Sequence, residues 1–410
     1  TSDRTRRPQG PRRGPTPVSL GASISLVDLE RDPGPILARL RAEEPVCFID
    51  ELGMWLVTRW DDVAFMEDHP ELFSAATEPS FLRRALGQNM LTADPPEATR
   101  SREAMLPSFQ AGGVAGRFVA NELAAMADRL IDEFAADGQA ELMTAYAEPL
   151  SAGSLATVLG LDAHGWEQVW EWCRGLCSDI ANFANDPELT ALGDQARESL
   201  GAALDRRIDE LETRPDDAAL AAFCAAIPEG GSLTRDEIIN NVRLMISGGI
   251  NEPRDGIGLV ATIVLETPGL LDELTADPPL WRRCVEEVFR LHTPVGTITR
   301  QTTQRVAVGG TEIPAGSLVA GVLRSANLDE DHWSDPESFK PHRHEGPHAA
   351  FALGEHRCLG EWLGRQVVRV GTSRLFERLP DLRLADDEPV TLHGFEFRGP
   401  TSLNCRWETQ

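Results

Sequence analysis

No stretch of this sequence is apolar for long enough to cross a bilayer, so a membrane-spanning protein is not expected. The first 21 residues are rich in Arg, Pro and Gly and contain no apolar segment of the kind a secretory signal needs. Paired cysteines are missing too: the seven, at positions 47, 173, 177, 224, 284, 358 and 405, form no CxxC pair and no disulfide framework. That usage suits a reducing compartment, and a cytoplasmic location is the expectation. Cys173 and Cys177 are four apart on an expected helix. No histidine or second pair accompanies them, so they read as packing and not as a metal site. Positive charge is scarce: 39 Lys and Arg stand against 65 Asp and Glu, a formal net charge of −26. Nucleic acid and anionic membrane are therefore poor partners. Nor does a repeat or low-complexity linker divide the 410 residues, whose 41% hydrophobic content is enough for one substantial core.

What is present is mostly helical periodicity. Residues 28–43 read as an amphipathic helix, 46–49 and 54–58 as strands around Glu51-Leu52-Gly53, and 60–68 as a helix. From 99 to 210 the helical pattern persists, with breaks at Gly112-Gly113, Gly160 and 185–187. A long helix is expected from near Thr234, where Thr234-Arg235-Asp236-Glu237 spells a capping box. Others follow over 281–291 and 359–379. Strand-like pieces fall at 305–308 and 317–323, and 390–407 alternates weakly as sheet. The expected fold is mainly α, with small β-sheets at the two ends of the sequence. One domain is expected over 25–410, behind a flexible tail over 1–24.

The long helix meets Ser247-Gly248-Gly249-Ile250-Asn251-Glu252-Pro253 before it resumes. Pro253 has no N–H, so the carbonyl of Gly249 loses its i+4 partner, and the two glycines remove bulk beside the gap. Freed carbonyls there suit ordered water and a small ligand; a plain turn between helices is the other reading. Further on, Phe351-Ala352-Leu353-Gly354-Glu355-His356-Arg357-Cys358-Leu359-Gly360 is a glycine-containing turn around one thiol. Thiolate is a soft ligand for iron, and glycines let backbone approach a flat group. A buried free cysteine in a tight turn is the alternative. Glu287 and Arg290, three apart, share one helical face, and Phe339-Lys340-Pro341-His342-Arg343 lies between them and Cys358.

Together these segments resemble the cytochrome P450 superfamily from about residue 25 to the C-terminus. Phe351, Gly354, His356, Cys358 and Gly360 match its haem-binding loop; Ala352 stands where the family usually has a second glycine, a small cost unless that position needs positive φ. The resemblance implies a single-domain fold of that family and haem b with Cys358 as axial ligand. It also implies O2 as co-substrate and electrons ultimately from NAD(P)H. His356, Arg300 and Arg102 are then the partners of the haem propionates, and Phe351 and Gly360 shape the loop. Arg102 lies in Ala98-Thr99-Arg100-Ser101-Arg102, where the family's histidine is Ala98, and Arg100 is a candidate to supply the missing hydrogen bond. Glu287, Arg290 and Arg343 match a buried network behind the haem, structural in role.

On the distal side Gly248 and Gly249 match the family's oxygen site, with Asn251 replacing its acid and Glu252 its threonine. Asn251 is expected to hydrogen-bond bound oxygen or water, and Glu252, its pKa raised by burial, to relay protons. This Asn-Glu-Pro variant is similar to the Gln-Glu-Pro of bacterial P450s that demethylate small aromatic ethers. It is also similar to P450 domains fused to a reductase. The segment Phe395-Glu396-Phe397 strengthens the first comparison. Candidate pocket residues by resemblance are Phe81, Leu82, Phe183, Leu244, Val295, Ile298 and Phe395, with few charges for a strongly ionic ligand. The expected activity is monooxygenation of a small or medium hydrophobic, aromatic-compatible substrate, by hydroxylation or O-dealkylation. Electrons would come from a separate ferredoxin- or flavodoxin-type donor, steered by Arg282, Arg283, Arg357, Arg365 and Arg369. A peroxide-driven peroxygenase and a non-catalytic haem sensor are the alternatives.

Overall fold

Asp32 and Pro33 split what periodicity alone reads as one helix over 28–43. In the computed structural model, which describes residues 19–226, 233–385 and 389–409, Leu26–Arg31 ends there and Pro33–Glu43 begins. The Asp32 side chain caps the new helix at the Gly34 N–H, and proline in a first turn has no N–H to leave unbonded. Packing also starts earlier than the boundary at residue 25. Leu20–Ser23 forms one 3-10 turn, the Leu20 N–H donates to Glu44 Oε2 at 2.8 Å, and Gly21 is buried against Phe48. The rest of the expected tail, 1–18, lies outside the described residues.

Helices dominate, as the pattern predicts. Trp60–Asp68, Leu280–Leu291 and Glu361–Arg378 fall within two residues of their expected bounds, and Arg235–Gly248 begins within one of its expected start. The capping box is complete: Thr234 Oγ1 accepts from the Glu237 N–H at 3.2 Å, and Glu237 Oε2 from the Thr234 N–H at 2.7 Å. The sheets are not confined to the two ends of the chain. Val46–Ile49 pairs antiparallel with Met54–Val57, which runs parallel to Leu318–Val322; Thr297–Thr302 and then Phe73–Ser74 complete five strands. The strand at 297–302 escapes the sequence pattern because Thr297, Arg300 and Gln301 break the apolar alternation. Near the C-terminus Asn404–Arg406 lies between Gln139–Glu141 and Arg383–Leu384.

The Glu361–Arg378 helix buries Leu363, Val367, Val368, Leu375 and Phe376, one face at helical spacing. That face packs against Asn251–Glu266, where Gly256 brings the backbone close to Phe289 and Val368. Glu252 and Pro253 of the one helix and Leu363, Gly364 and Val367 of the other line a shared cavity. Among the described residues no helix is long and apolar enough to cross a membrane.

Candidate active site

The interruption in the long helix is a full break. Arg235–Gly248 ends with Gly249 as its cap, Ile250 turns the chain, and Asn251–Glu266 starts anew. Pro253 falls in the first turn of the second helix, where its missing N–H costs nothing. Gly249 cannot be replaced cheaply, since a Cβ there would lie 2.6 Å from the Met245 carbonyl oxygen and 2.9 Å from Leu155. The carbonyls near the break are partly used. Ser151 Oγ donates to the Ile250 oxygen at 2.6 Å, and the Cys177 thiol to the Ser247 oxygen at 3.4 Å. Cys173 and Cys177 lie with sulfurs 3.9 Å apart, packed behind that break.

Restarting the helix resets its phase, and this separates Asn251 from Glu252. Glu252 lines the cavity together with Gly248, Gly249 and Pro253. Asn251 does not; its Nδ2 donates to Asp255 Oδ2 at 3.3 Å. The expectation that Asn251 faces the oxygen site is therefore corrected: one residue is about 100° of helix, and only Glu252 takes the inward direction. Burial pushes the Glu252 carboxyl well above the usual range, and the negative charges of Asp255 and Glu396 push the same way. Its Oε2 is buried without a hydrogen-bond partner among the described residues. Behind it, Arg254 joins Asp255 (2.6 Å) to Glu148 (3.1 Å), and burial raises Asp255 to about 6.

Cys358 lines the same cavity. Its N–H donates to the Phe351 oxygen at 2.8 Å, and Phe351 is held by Phe289 edge-on at 5.5 Å and by the Arg365 guanidinium 4.0 Å above its ring. Burial raises the thiol to about 11, opposed by the Gly360 N–H. Left alone it stays protonated; a metal cation at the sulfur would displace that proton. The loop crosses the Trp60–Asp68 helix so closely that a Cβ on Gly354 (φ +62°) would come 2.5 Å from the Glu67 carbonyl oxygen. Ala352 has φ +58°, so the position where the family prefers glycine does need a left-handed backbone. Ala352→Gly is expected to raise stability by about 0.5–1 kcal/mol in urea unfolding. Unchanged or lower stability would show that the left-handed alanine carries no strain.

Arg102, Arg300 and His356 all line the same cavity. Arg300 brings a partner the sequence did not reveal: both Glu67 oxygens lie within 2.9 Å of its Nη2. Burial pushes His356 down to about 4, with Arg300 and Arg102 adding to the shift, so by itself the imidazole is neutral. Carboxylates brought between these three groups would be met by two guanidiniums and would draw the histidine upward. Arg100 does not join them; it pairs with Glu237 on the neighbouring helix. The flanking glycines leave room: a Cβ on Gly248 or on Gly360 would meet nothing within 4 Å. Thiol, cation pair and open glycine walls together fit a flat, dianionic macrocycle ligated from the cysteine side.

Behind the loop, Glu287 takes Arg290 at 2.9 Å and Arg343 at 3.0 Å, all three side chains buried. Of the pocket candidates, Phe81, Leu82, Phe183, Leu244, Val295 and Ile298 line the cavity. Phe395 does not. It is buried in a separate cluster with Leu29 and Val322, and its neighbours Glu396 and Phe397 face the cavity instead. The five arginines proposed for donor docking are unequal. Arg357 and Arg365 are paired with Glu361, Arg365 also with Glu286, Arg369 is half-buried, and Arg282 and Arg283 are exposed.

A sequence profile described as "Cytochrome P450" matches residues 273–389. The chain is 31% identical to Cytochrome P450 107B1 of Saccharopolyspora erythraea, over 85% of its own length and 88% of the relative's. It is also 31% identical to the cytochrome P450 monooxygenase PikC of Streptomyces venezuelae, over 98% and 97%. The crystal structure of CYP109B1 from Bacillus subtilis superposes with a TM-score of 0.80 at 26% identity, covering 92% of this chain and all of that one. With the thiol loop, the broken distal helix and the buried Glu-Arg-Arg network in one such fold, the chain belongs to the cytochrome P450 family of haem-containing monooxygenases.

Proposed function

We propose that this enzyme inserts one oxygen atom from O2 into a small or medium hydrophobic substrate, aromatic rings included, by hydroxylation or O-dealkylation. A separate ferredoxin- or flavodoxin-type protein supplies the electrons. The observation that carries this reading is the meeting of Cys358 and Glu252 in one cavity otherwise lined mainly by apolar side chains. Haem b bound in this cavity would supply the activation of O2 by two electrons and two protons. Cys358 is its ligand in this reading, and Arg102, Arg300 and His356 hold its propionates. Gly248 and Gly249 leave the distal wall open. Glu252, its carboxyl lifted well above the usual range by burial and one oxygen unpartnered, is assigned to give a proton into the cavity. Asp255, buried between Arg254 and Asn251, is the acid assigned to replacing that proton. Leu244, Val295, Ile298 and the Phe81–Phe183 pair (centroids 5.2 Å apart) exclude water around the substrate.

Glu252→Gln keeps size and hydrogen bonding but removes the acid. Product formed per NADH is expected to fall by about tenfold or more. The substrate-induced spin shift and first electron transfer should stay near wild type, with the missing oxygen recovered as hydrogen peroxide or water. Equal coupling and an unchanged pH profile would remove Glu252 as the proton donor. Running wild type with reduced ferredoxin and with hydrogen peroxide alone tests the activity itself. Turnover only with peroxide would make it a peroxygenase, and spectral change without turnover a sensor.

A further inference from the structure

Glu396 brings a carboxylate into the cavity lining, which also includes Val295, Thr297, Ile298, Leu323 and Phe397. Its place is fixed from both sides. Gly394 turns the chain at φ +109°, the Gly296 N–H donates to the Glu396 carbonyl at 2.7 Å, and Val295 bridges to Phe397. On the side chain, Thr297 Oγ1 donates to Oε2 at 2.5 Å. No other donor to this carboxylate is found among the described residues. Arg324, whose positive charge acts on Glu396, gives Nη1 to the Phe395 oxygen at 2.9 Å and Nη2 to the Thr293 and Pro294 oxygens, and its buried Nε has no partner among the described residues. One carboxylate oxygen is held by Thr297 and the other is left open to the cavity, where a donor on a bound molecule can complete it.

We propose that Glu396 and Thr297 form a substrate-anchoring subsite that takes the protonated amine of an otherwise hydrophobic substrate, and so determines which carbon is presented for oxidation. This rests on the monooxygenase reading, because it names the class of molecule that occupies the same cavity. A hydroxyl would satisfy the free oxygen but leave the charge uncompensated; an ammonium does both, and charge-assisted hydrogen bonds are the stronger kind.

Ionisation of Glu396 supplies a second handle. Burial lifts its carboxyl to about 7, Thr297 and Arg324 oppose that, and Glu30 adds to it. Burial also lifts Glu252, the other acid in the cavity, well above the usual range; Arg398 faces Glu30 and Asp32. A simple tertiary amine keeps its proton across this range, so only the Glu396 charge changes. Amine binding should therefore weaken as pH falls through about 7, where the carboxylate is neutralised.

The test uses the haem-loaded enzyme and two probes of one shape: N,N-dimethyl-4-phenylbutylamine and its hydrocarbon isostere (5-methylhexyl)benzene. Dissociation constants are read by calorimetry and by the haem spin shift. Wild type at about pH 8 should bind the amine about tenfold or more tighter than the hydrocarbon. Glu396→Gln should bring the two within about twofold of each other and leave the hydrocarbon's constant unchanged within about twofold. In wild type the amine preference should shrink several-fold between about pH 8 and pH 6; this arm stands even if the variant does not load haem. Equal binding of the two probes, a preference that survives in Glu396→Gln, a preference flat with pH, or binding of neither probe by an enzyme with an intact thiolate spectrum would each overturn the subsite. Absence of the thiolate spectrum would instead overturn the reading on which it rests.

Discussion

Cys358→Ser should abolish the strongly red-shifted Soret band that a carbon monoxide complex shows only with thiolate opposite, and turnover should fall with it to background. Oxygen is a harder and less electron-donating ligand than sulfur. The surroundings sharpen the contrast. The pocket raises even the thiol to about 11, so ionisation depends on the metal, and an alcohol starts from a far higher value in the same buried place. The loop itself should survive, because its geometry comes from the Cys358 N–H to Phe351 bond, the ring contacts of Phe351 and the Gly354 crossing, none of which uses the sulfur. Haem content and carbon monoxide difference spectra of the purified variant check both halves. A thiolate spectrum that persists in Cys358→Ser would remove Cys358 as the ligand.

The parts of this enzyme that sequence made legible are those whose geometry is local. The helix start at Thr234 needs only residues 234–237, and the loop around Cys358 needs about ten. Glu287 and Arg290 share a face because three residues nearly complete a helical turn. Phase was lost wherever the chain reset it. Gly249 and Ile250 end one helix and begin another, so counting along a continuous helix could not tell that Glu252 faces inward and Asn251 does not. Asp32-Pro33 did the same on a smaller scale.

Long-range partners were the second loss. Glu67 meets Arg300 across 233 positions, and nothing around Glu67 on its helix distinguishes it from a solvated acid. The register at 395–397 is set by Gly394, by the Val295–Phe397 bridge and by Arg324 reaching the Phe395 carbonyl. Strand alternation would have put either Phe395 or Glu396 inside, and chemistry favoured the phenylalanine. The structure buries the ring elsewhere and gives the cavity the acid.

Glu287→Ala should cost about 3–5 kcal/mol of stability and leave most of the purified protein without haem. Its Oε1 accepts from Arg290 Nη2 at 2.9 Å, Arg343 Nε at 3.0 Å and the Lys340 N–H at 3.0 Å, while Oε2 accepts from Arg290 Nε at 2.9 Å. Arg343 reaches out to Glu345 at 2.6 Å, so the group balances two guanidiniums with two carboxylates. Removing Glu287 leaves Arg290, 1% exposed, with only the carbonyls of Asn327, Pro336 and Ser338 and the Trp333 ring 5.3 Å away. Those contacts hold the segment over 327–343 against the helix, and Asn327 Oδ1 in turn takes the Ala349 N–H at 2.7 Å, two residues before the cysteine loop. Loss of the carboxylate is thus transmitted to the thiol's seat without touching the cavity. Urea unfolding of the haem-free protein separates that from a direct effect on the cofactor, and Glu345→Ala, at the open end, should cost under about 1 kcal/mol in the same assay. If Glu287→Ala unfolds at the wild-type midpoint and retains full haem, the network is ornamental and the loop must be held by the Phe351 and Gly354 contacts alone.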